Sequence, residues 1–215
     1  EDALFGQKSW ELAESEMQRQ AALKVLDKCS LTPGDIEYLF AGDLLNQIVA
    51  SHYGLRDLGI PFFGLYGACS TMSESLILAA MLVEGSLARH TMAVTSSHFC
   101  SAERQYRTPL EYGGQRTPTA QWTVTGAGAV ILARDGDGPY ITHATAGRII
   151  DQGLKDQTNM GAAMAPSAYE TICAHFKDTG RKPSSYDLIV TGDLGKLGSE
   201  IVRDFFHQDG IDLTN

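Results

Sequence analysis

One cysteine sits in a setting where a thiol could do chemistry. Ile60-Pro61-Phe62-Phe63-Gly64-Leu65-Tyr66 is a short, mostly apolar run, and Gly67-Ala68-Cys69-Ser70-Thr71 follows it. Met72, Leu76, Ala79, Ala80 and Val83 then recur at helical spacing. The pattern predicts a buried strand, a tight turn and a helix with Cys69 at its N-terminus, in or beside a concave pocket. A helix start offers unpaired N–H groups and the positive end of the dipole, which favour an anion: a thiolate or a ligand carboxylate. A small cysteine filling a crowded elbow accounts for the same residues without chemistry.

Three other stretches carry groups that could serve a ligand. Ser97-His98 follows the predicted strand Thr91 to Ser96, at a strand end of the kind where α/β proteins bind ligands. The same histidine also fits a plain hydrogen-bonded rim position. Residues 97–118 form a long predicted loop with Gly113-Gly114 and the basic side chains Arg104, Arg107 and Arg116; loops this long inside domains are usually functional or mobile. Gly192-Asp193-Leu194-Gly195-Lys196 lies between a predicted strand and helix, a weak anion site but not a P-loop, because Leu197 replaces the Ser/Thr after the lysine. Gly126-Ala127-Gly128 lacks the third glycine of a dinucleotide fingerprint and falls inside a strand. The four cysteines are far apart and the remaining histidines lack metal spacing, so neither a metal nor a cofactor is expected.

The elements that must position these groups alternate. Ser9 to Leu26 reads as an amphipathic helix with Trp10, Leu12, Ala13, Met17, Ala21, Leu23 (or Lys24), Val25 and Leu26 inward and Glu11, Glu14, Glu16 and Arg19 largely outward. Ile36 to Phe40 reads as a strand, Leu44 to Tyr53 as a helix, and Thr91 to Ser96 as a strand. This β-α-β-α-β rhythm predicts a mainly parallel sheet. Gln121 to Ala133 is a predicted strand that turns at Asp135-Gly136-Asp137-Gly138 into an antiparallel partner, Tyr140 to Ala146. Residues 151–166 read as a connection. A helix from Ser167 to Asp178, a strand from Tyr186 to Thr191 and a helix from Gly198 to His207 restart the rhythm.

The chain has 215 residues, 43% of them hydrophobic and 20% charged, with a formal net charge of −9. It can therefore bury a sizeable core, and it lacks the basic stripe of a nucleic-acid surface. An acidic ligand would need local donors. The longest apolar run, Leu76 to Val83, is too short to span a bilayer.

The segment Gly67-Ala68-Cys69-Ser70-Thr71 after a strand, with Gly126-Ala127-Gly128-Ala129-Val130-Ile131-Leu132 later, resembles the thiolase and ketoacyl-synthase superfamily. Ala41-Gly42-Asp43-Leu44-Leu45-Asn46-Gln47, Thr95-Ser96-Ser97-His98, Ala102-Glu103-Arg104-Gln105, Glu111-Tyr112-Gly113-Gly114-Gln115, Ala163-Met164-Ala165-Pro166 and Thr191-Gly192-Asp193-Leu194 resemble one family within it, the stage V sporulation AD (SpoVAD) family. The resemblance implies a thiolase-like αβαβα layered sandwich with a mostly parallel sheet, as a fragment of a longer two-half fold. Residues 1–150 would be most of the first half without its first strand, and 151–215 the start of the second. It also implies a homodimer, formed partly by Thr91 to Ser96 pairing with its symmetry mate.

In function, the resemblance implies non-catalytic binding of dipicolinic acid (pyridine-2,6-dicarboxylic acid), with or without calcium, and its uptake into spores. Partners would be other SpoVA proteins, and location would be the spore, peripheral at its inner membrane. The expected ligand-binding residues are Cys69, Ser70, Thr71, Ser97, His98, Arg104, Arg107 and Asp193. The alternative is a thioester-dependent acyltransferase with Cys69 as nucleophile; a third reading is a structural subunit. Binding is preferred because the resembled condensing enzymes carry His-Gln-Ala-Asn where this chain has Gly192-Asp193-Leu194-Gly195, and a carboxylate cannot stabilise a developing enolate as imidazole does.

Overall fold

The computed structural model describes residues 2–106, 121–156 and 159–213. The described residues form two units, 2–106 with 123–140 and 121–122 with the rest.

In the first unit, helix α1 spans Trp10–Cys29, started by Ser9, whose hydroxyl accepts the Leu12 N–H at 3.3 Å, and stopped by Ser30 in the left-handed conformation. Its buried stripe differs from the one its apolar residues suggest. Ala13, Met17, Ala22 and Leu26 are inward, but so are Glu14, Ser15 and Gln18, while Trp10, Leu12 and Leu23 are exposed. Polar partners on the facing elements, described below, turn the helix this way.

Four strands form the sheet in the order β2-β1-β3-β4: β1 Tyr38–Gly42, β2 Phe62–Gly64, β3 His90–Ser97 and β4 Gly126–Ala133. β1 pairs parallel with β2 and β3, and β4 runs antiparallel to β3. The core between sheet and helices includes Leu26, Ile36, Leu39, Ala41, Leu55, Met92 and Val94. The two central strands, β1 and β3, are largely buried, and strands buried on both faces read as apolar runs.

Several expectations are corrected. The predicted helix Leu44 to Tyr53 is a 3₁₀ turn, Asn46–Ile48, followed by α2, Val49–Leu55, because Gln47 and Ile48 take positive φ of 57° and 50° and break the helix. The predicted loop after β3 begins with a helix, α4, Phe99–Tyr106; residues 107–120, with Arg107 and Arg116, lie outside the described residues. β4 begins at Gly126, not Gln121. Tyr140 to Ala146 is not a strand and adds no partner to β4. β3 is hydrogen-bonded on both edges, so it cannot extend the sheet into a second copy. A symmetric extension would have to use β2 or β4, whose outer edges carry no strand among the described residues.

In the second unit, α5 (Met160–Thr179) starts earlier than expected, capped by the Asn159 side chain, which accepts the Ala162 N–H at 3.2 Å, and runs through Pro166. It packs on α6, Gly195–Gln208, around Ala165, Leu194, Val202 and Phe206. Tyr186 to Thr191, expected as a strand, has no ladder partner among the described residues, and Leu188 and Val190 are exposed. A strand is defined by its neighbour, so apolar alternation alone does not make one.

Candidate functional site

The strand, turn and helix of the elbow form as the residue pattern predicts, but the strand is not buried: Phe63 and Gly64 are exposed. β2 ends at Gly64, the chain bends through a 3₁₀ turn at Ala68–Ser70, and helix α3 runs Thr71–Glu84. Cys69 lies in that turn and is exposed. Ala68 takes a positive φ of 49°, a conformation that costs a non-glycine residue energy and that persists where surrounding structure enforces it. The enforcement is visible from below. Leu65 N–H donates to Ala41 O at 2.9 Å, and Thr71 is buried with its methyl against Gly42.

The helix start itself is less open than the sequence implies. Ser70 N–H donates to Gly67 O at 3.0 Å and Thr71 N–H to Ala68 O, so both backbone donors assigned to a ligand carboxylate close the turn instead. The Ser70 hydroxyl also turns back, donating to Gly67 O at 2.8 Å. The Thr71 hydroxyl is buried without a hydrogen-bond partner. Sequence reasoning missed Glu74, one turn into α3, whose carboxylate lies over Gly67 close enough to obstruct a Cβ there. That negative charge beside the elbow opposes an anion.

The remaining assigned residues have their own partners. Ser97 donates its hydroxyl to Val124 O at 2.5 Å. His98 is buried; Nδ1 accepts the Cys100 N–H at 3.1 Å, which leaves Nε2 to donate to Ala3 O at 2.8 Å. Arg104 pairs with Glu11 and lies over the Trp10 ring, 5.5 Å from its centroid, so it braces α4 against α1. Asp193 belongs to the second unit, where Oδ1 accepts the Gly195 N–H at 2.9 Å, just before α6.

Two aromatic residues at the same rim were not singled out by the sequence. Tyr66, three residues before Cys69, and Tyr106, at the end of α4, bring their hydroxyls to 3.0 Å while both rings remain largely exposed. Tyr106 also donates to Leu44 O at 2.5 Å, and burial with the Tyr66 contact pushes its phenol up to about 12. Gln105 holds the same loop, donating to Leu44 O at 3.0 Å and accepting the Asn46 N–H at 2.7 Å. The rim is thus a β1–α2 loop clamped by α4 beside an exposed cysteine. A cavity of about 520 Å³ lies at the opposite end of the sheet, lined among others by Glu37, Arg89, His90, Arg134 and Asp135. Cys69 does not line it.

Solved structures share this architecture. The chain superposes on a variant of OleA from Xanthomonas campestris bound with cerulenin, with a TM-score of 0.70 at 19% identity, covering 92% of this chain and 62% of that one. The 3-oxoacyl-[acyl-carrier-protein] synthase III of Aquifex aeolicus VF5 gives 0.60 at 17% identity, covering 92% and 66%. At these identities the likeness establishes the fold alone: α/β, mostly parallel, and similar to the thiolase-like ketosynthases. In sequence, the chain is 50% identical over 204 residues to the stage V sporulation protein AD of Bacillus subtilis (strain 168), covering 95% of this chain and 60% of that protein. The family described as stage V sporulation protein AD (SpoVAD) matches residues 1–215, and the chain belongs to that family.

Proposed function

We propose that the protein acts in sporulation as a non-catalytic binder of dipicolinate, taking part in its uptake into spores, with the rim at Cys69 as the ligand site. Family membership supports the sporulation role. The observation that carries the site is the exposed Cys69 on an elbow held in a strained conformation. A flat aromatic dianion suits the two exposed tyrosines beside it. Arg107, outside the described residues, keeps its place as the cation for one carboxylate, whereas Arg104 would first have to leave Glu11. Other SpoVA proteins remain the proposed partners, along with a second copy of this chain. Membrane association would run through those partners, since no helix among the described residues is long and apolar enough to cross a bilayer.

The exposed thiol also supports the second reading, an acyltransferase with Cys69 as acceptor. The two separate in one experiment on the full-length protein. Dipicolinate should raise the melting temperature in a concentration-dependent way, and acyl thioester donors should leave Cys69 unmodified by intact-mass spectrometry. Acylation lost in Cys69→Ala, without a dipicolinate shift, reverses the reading.

A further inference from the structure

The first unit buries a carboxylic acid that the elbow does not use. Glu14 is 0% exposed, on the face of α1 turned toward the ends of β1 and β3 and the start of α4. Its Oε1 accepts the Ser96 hydroxyl at 2.8 Å and its Oε2 meets the Ser101 hydroxyl at 2.9 Å. Gln18, one turn on and also 0% exposed, shares its two Nε2 protons among Ser96 Oγ at 2.9 Å, Ser51 Oγ at 2.9 Å and Gly42 O at 3.2 Å, while its Oε1 has no hydrogen-bond partner among the described residues. Ser51 in turn donates to Asp43 Oδ2 at 2.6 Å.

Among the described residues, the charges around Glu14 do not neutralise it. Just past the end of β1 comes Asp43, whose carboxylate already accepts the N–H groups of Leu45 and Ser51 and the Ser51 hydroxyl, and it repels a second charge. From α4 come Glu103, another acid, and Arg104, which is committed to Glu11. His98 faces Ala3 and Cys100, α2 adds His52 beyond Ser51, and β4 contributes no ionisable side chain to this face. On α1 itself, Arg19 pairs with Glu16. A charged carboxylate held only by two hydroxyls is costly to bury, whereas a neutral acid is not.

The geometry provides for the neutral acid. Ser101 Oγ lies 2.9 Å from Glu14 Oε2 and 3.1 Å from His98 O, and it has one proton to give. With a proton on Glu14, the acid donates to Ser101 and Ser101 donates to His98 O, so Ser101 serves both neighbours with its one proton. Without it, Ser101 must turn to the carboxylate, and His98 O, at the first turn of α4, keeps only the Ala102 N–H at 3.0 Å.

We propose that Glu14 is a proton-operated latch: protonated, it closes α1 onto β3 and α4, and on losing the proton it loosens α4 and the Leu44–Asn46 loop that α4 clamps. Desolvation by burial, with Asp43 adding to it, raises Glu14 to about 7, so the latch would operate near neutral pH. The proposal concerns the rim and stands whatever ligand that rim takes.

The test is hydrogen exchange on the full-length protein at pH 6 and pH 8, corrected for intrinsic rates, with Glu14→Gln beside wild type. In wild type, protection of the Phe99–Tyr106 amides should fall about tenfold or more at pH 8 relative to the α3 amides. Glu14→Gln should hold its protection across the range. Equal changes in the two proteins overturn the latch. If Glu14→Gln does not fold, infrared difference spectra of wild type between pH 5 and 9 decide. A buried carboxylic acid band that disappears over the pH range in which wild-type α4 protection falls upholds the proposal, and no such band, or α4 protection that stays level while the band disappears, refutes it.

Discussion

Gly42 and Leu65 meet so closely that a Cβ on Gly42 would lie 2.0 Å from Leu65 O. The end of β1 therefore supports the chain just before the elbow by direct backbone contact, and no side chain fits between them. Gly42→Ala should shift the elbow and destabilise the fold by about 1–3 kcal/mol. Chemical denaturation measures the loss, and the rate of Cys69 alkylation by a small reagent should change with it.

A second glycine pair predicts stability in the other unit. A Cβ on Gly161 would lie 2.4 Å from Leu194 O, and one on Gly198 would lie 2.7 Å from Gly161 O. These contacts let α5 and α6 touch backbone to backbone. Gly198→Ala should cost about 1–3 kcal/mol through forced separation of the helices, read as a lower midpoint of thermal unfolding by circular dichroism.

Ser9 starts α1 by accepting the Leu12 N–H. Ser9→Ala should cost about 1 kcal/mol, and Ser9→Asp should recover most of it because a carboxylate also suits the helix dipole. Denaturant midpoints at constant slope check both.

Glu14 sets a pH dependence of opposite sign to that of an ordinary ion-paired carboxylate. Its folded value, about 7, is raised above the ordinary 4.5. The folded state then binds the extra proton, so Glu14's contribution is fully present below about pH 4.5 and is lost as pH rises toward 7. Above that it stays level. The change should be on the order of 3 kcal/mol. Subtracting the stability profile of Glu14→Gln from that of wild type isolates it; a flat difference would contradict the assignment.

The centre of the sheet was legible in the sequence because β1 and β3 are largely buried. Met92-Ala93-Val94 stands out as a short apolar run, and the break into Cys69 stands out because helical spacing follows at once. What failed were elements whose identity depends on a neighbour. Leu188 and Val190 alternate like strand residues but have no ladder to join among the described residues. Glu14 and Gln18 look like solvent-facing positions, and only the hydroxyls of Ser96, Ser101 and Ser51 make their burial possible. The site divided the same way. The position of Cys69 followed from local pattern, whereas the engagement of Arg104 by Glu11 and Trp10 joins distant parts of the chain, where no spacing rule reaches. Tyr66 and Tyr106 were hidden for the same reason, since only the fold brings them together.

The claim that the Cys69 rim holds dipicolinate is tested most directly by calorimetric titration of the full-length protein, comparing wild type with Cys69→Asp. Glu74 already places one negative charge beside the elbow, and an aspartate in the turn adds a second within a few ångströms of the ligand's carboxylates. At that separation the repulsion is worth more than about 1 kcal/mol even with strong screening. Dipicolinate affinity should therefore fall at least about tenfold in Cys69→Asp, with the melting temperature of the unliganded protein little changed. Equal affinities in the two proteins would place the ligand elsewhere and contradict the account.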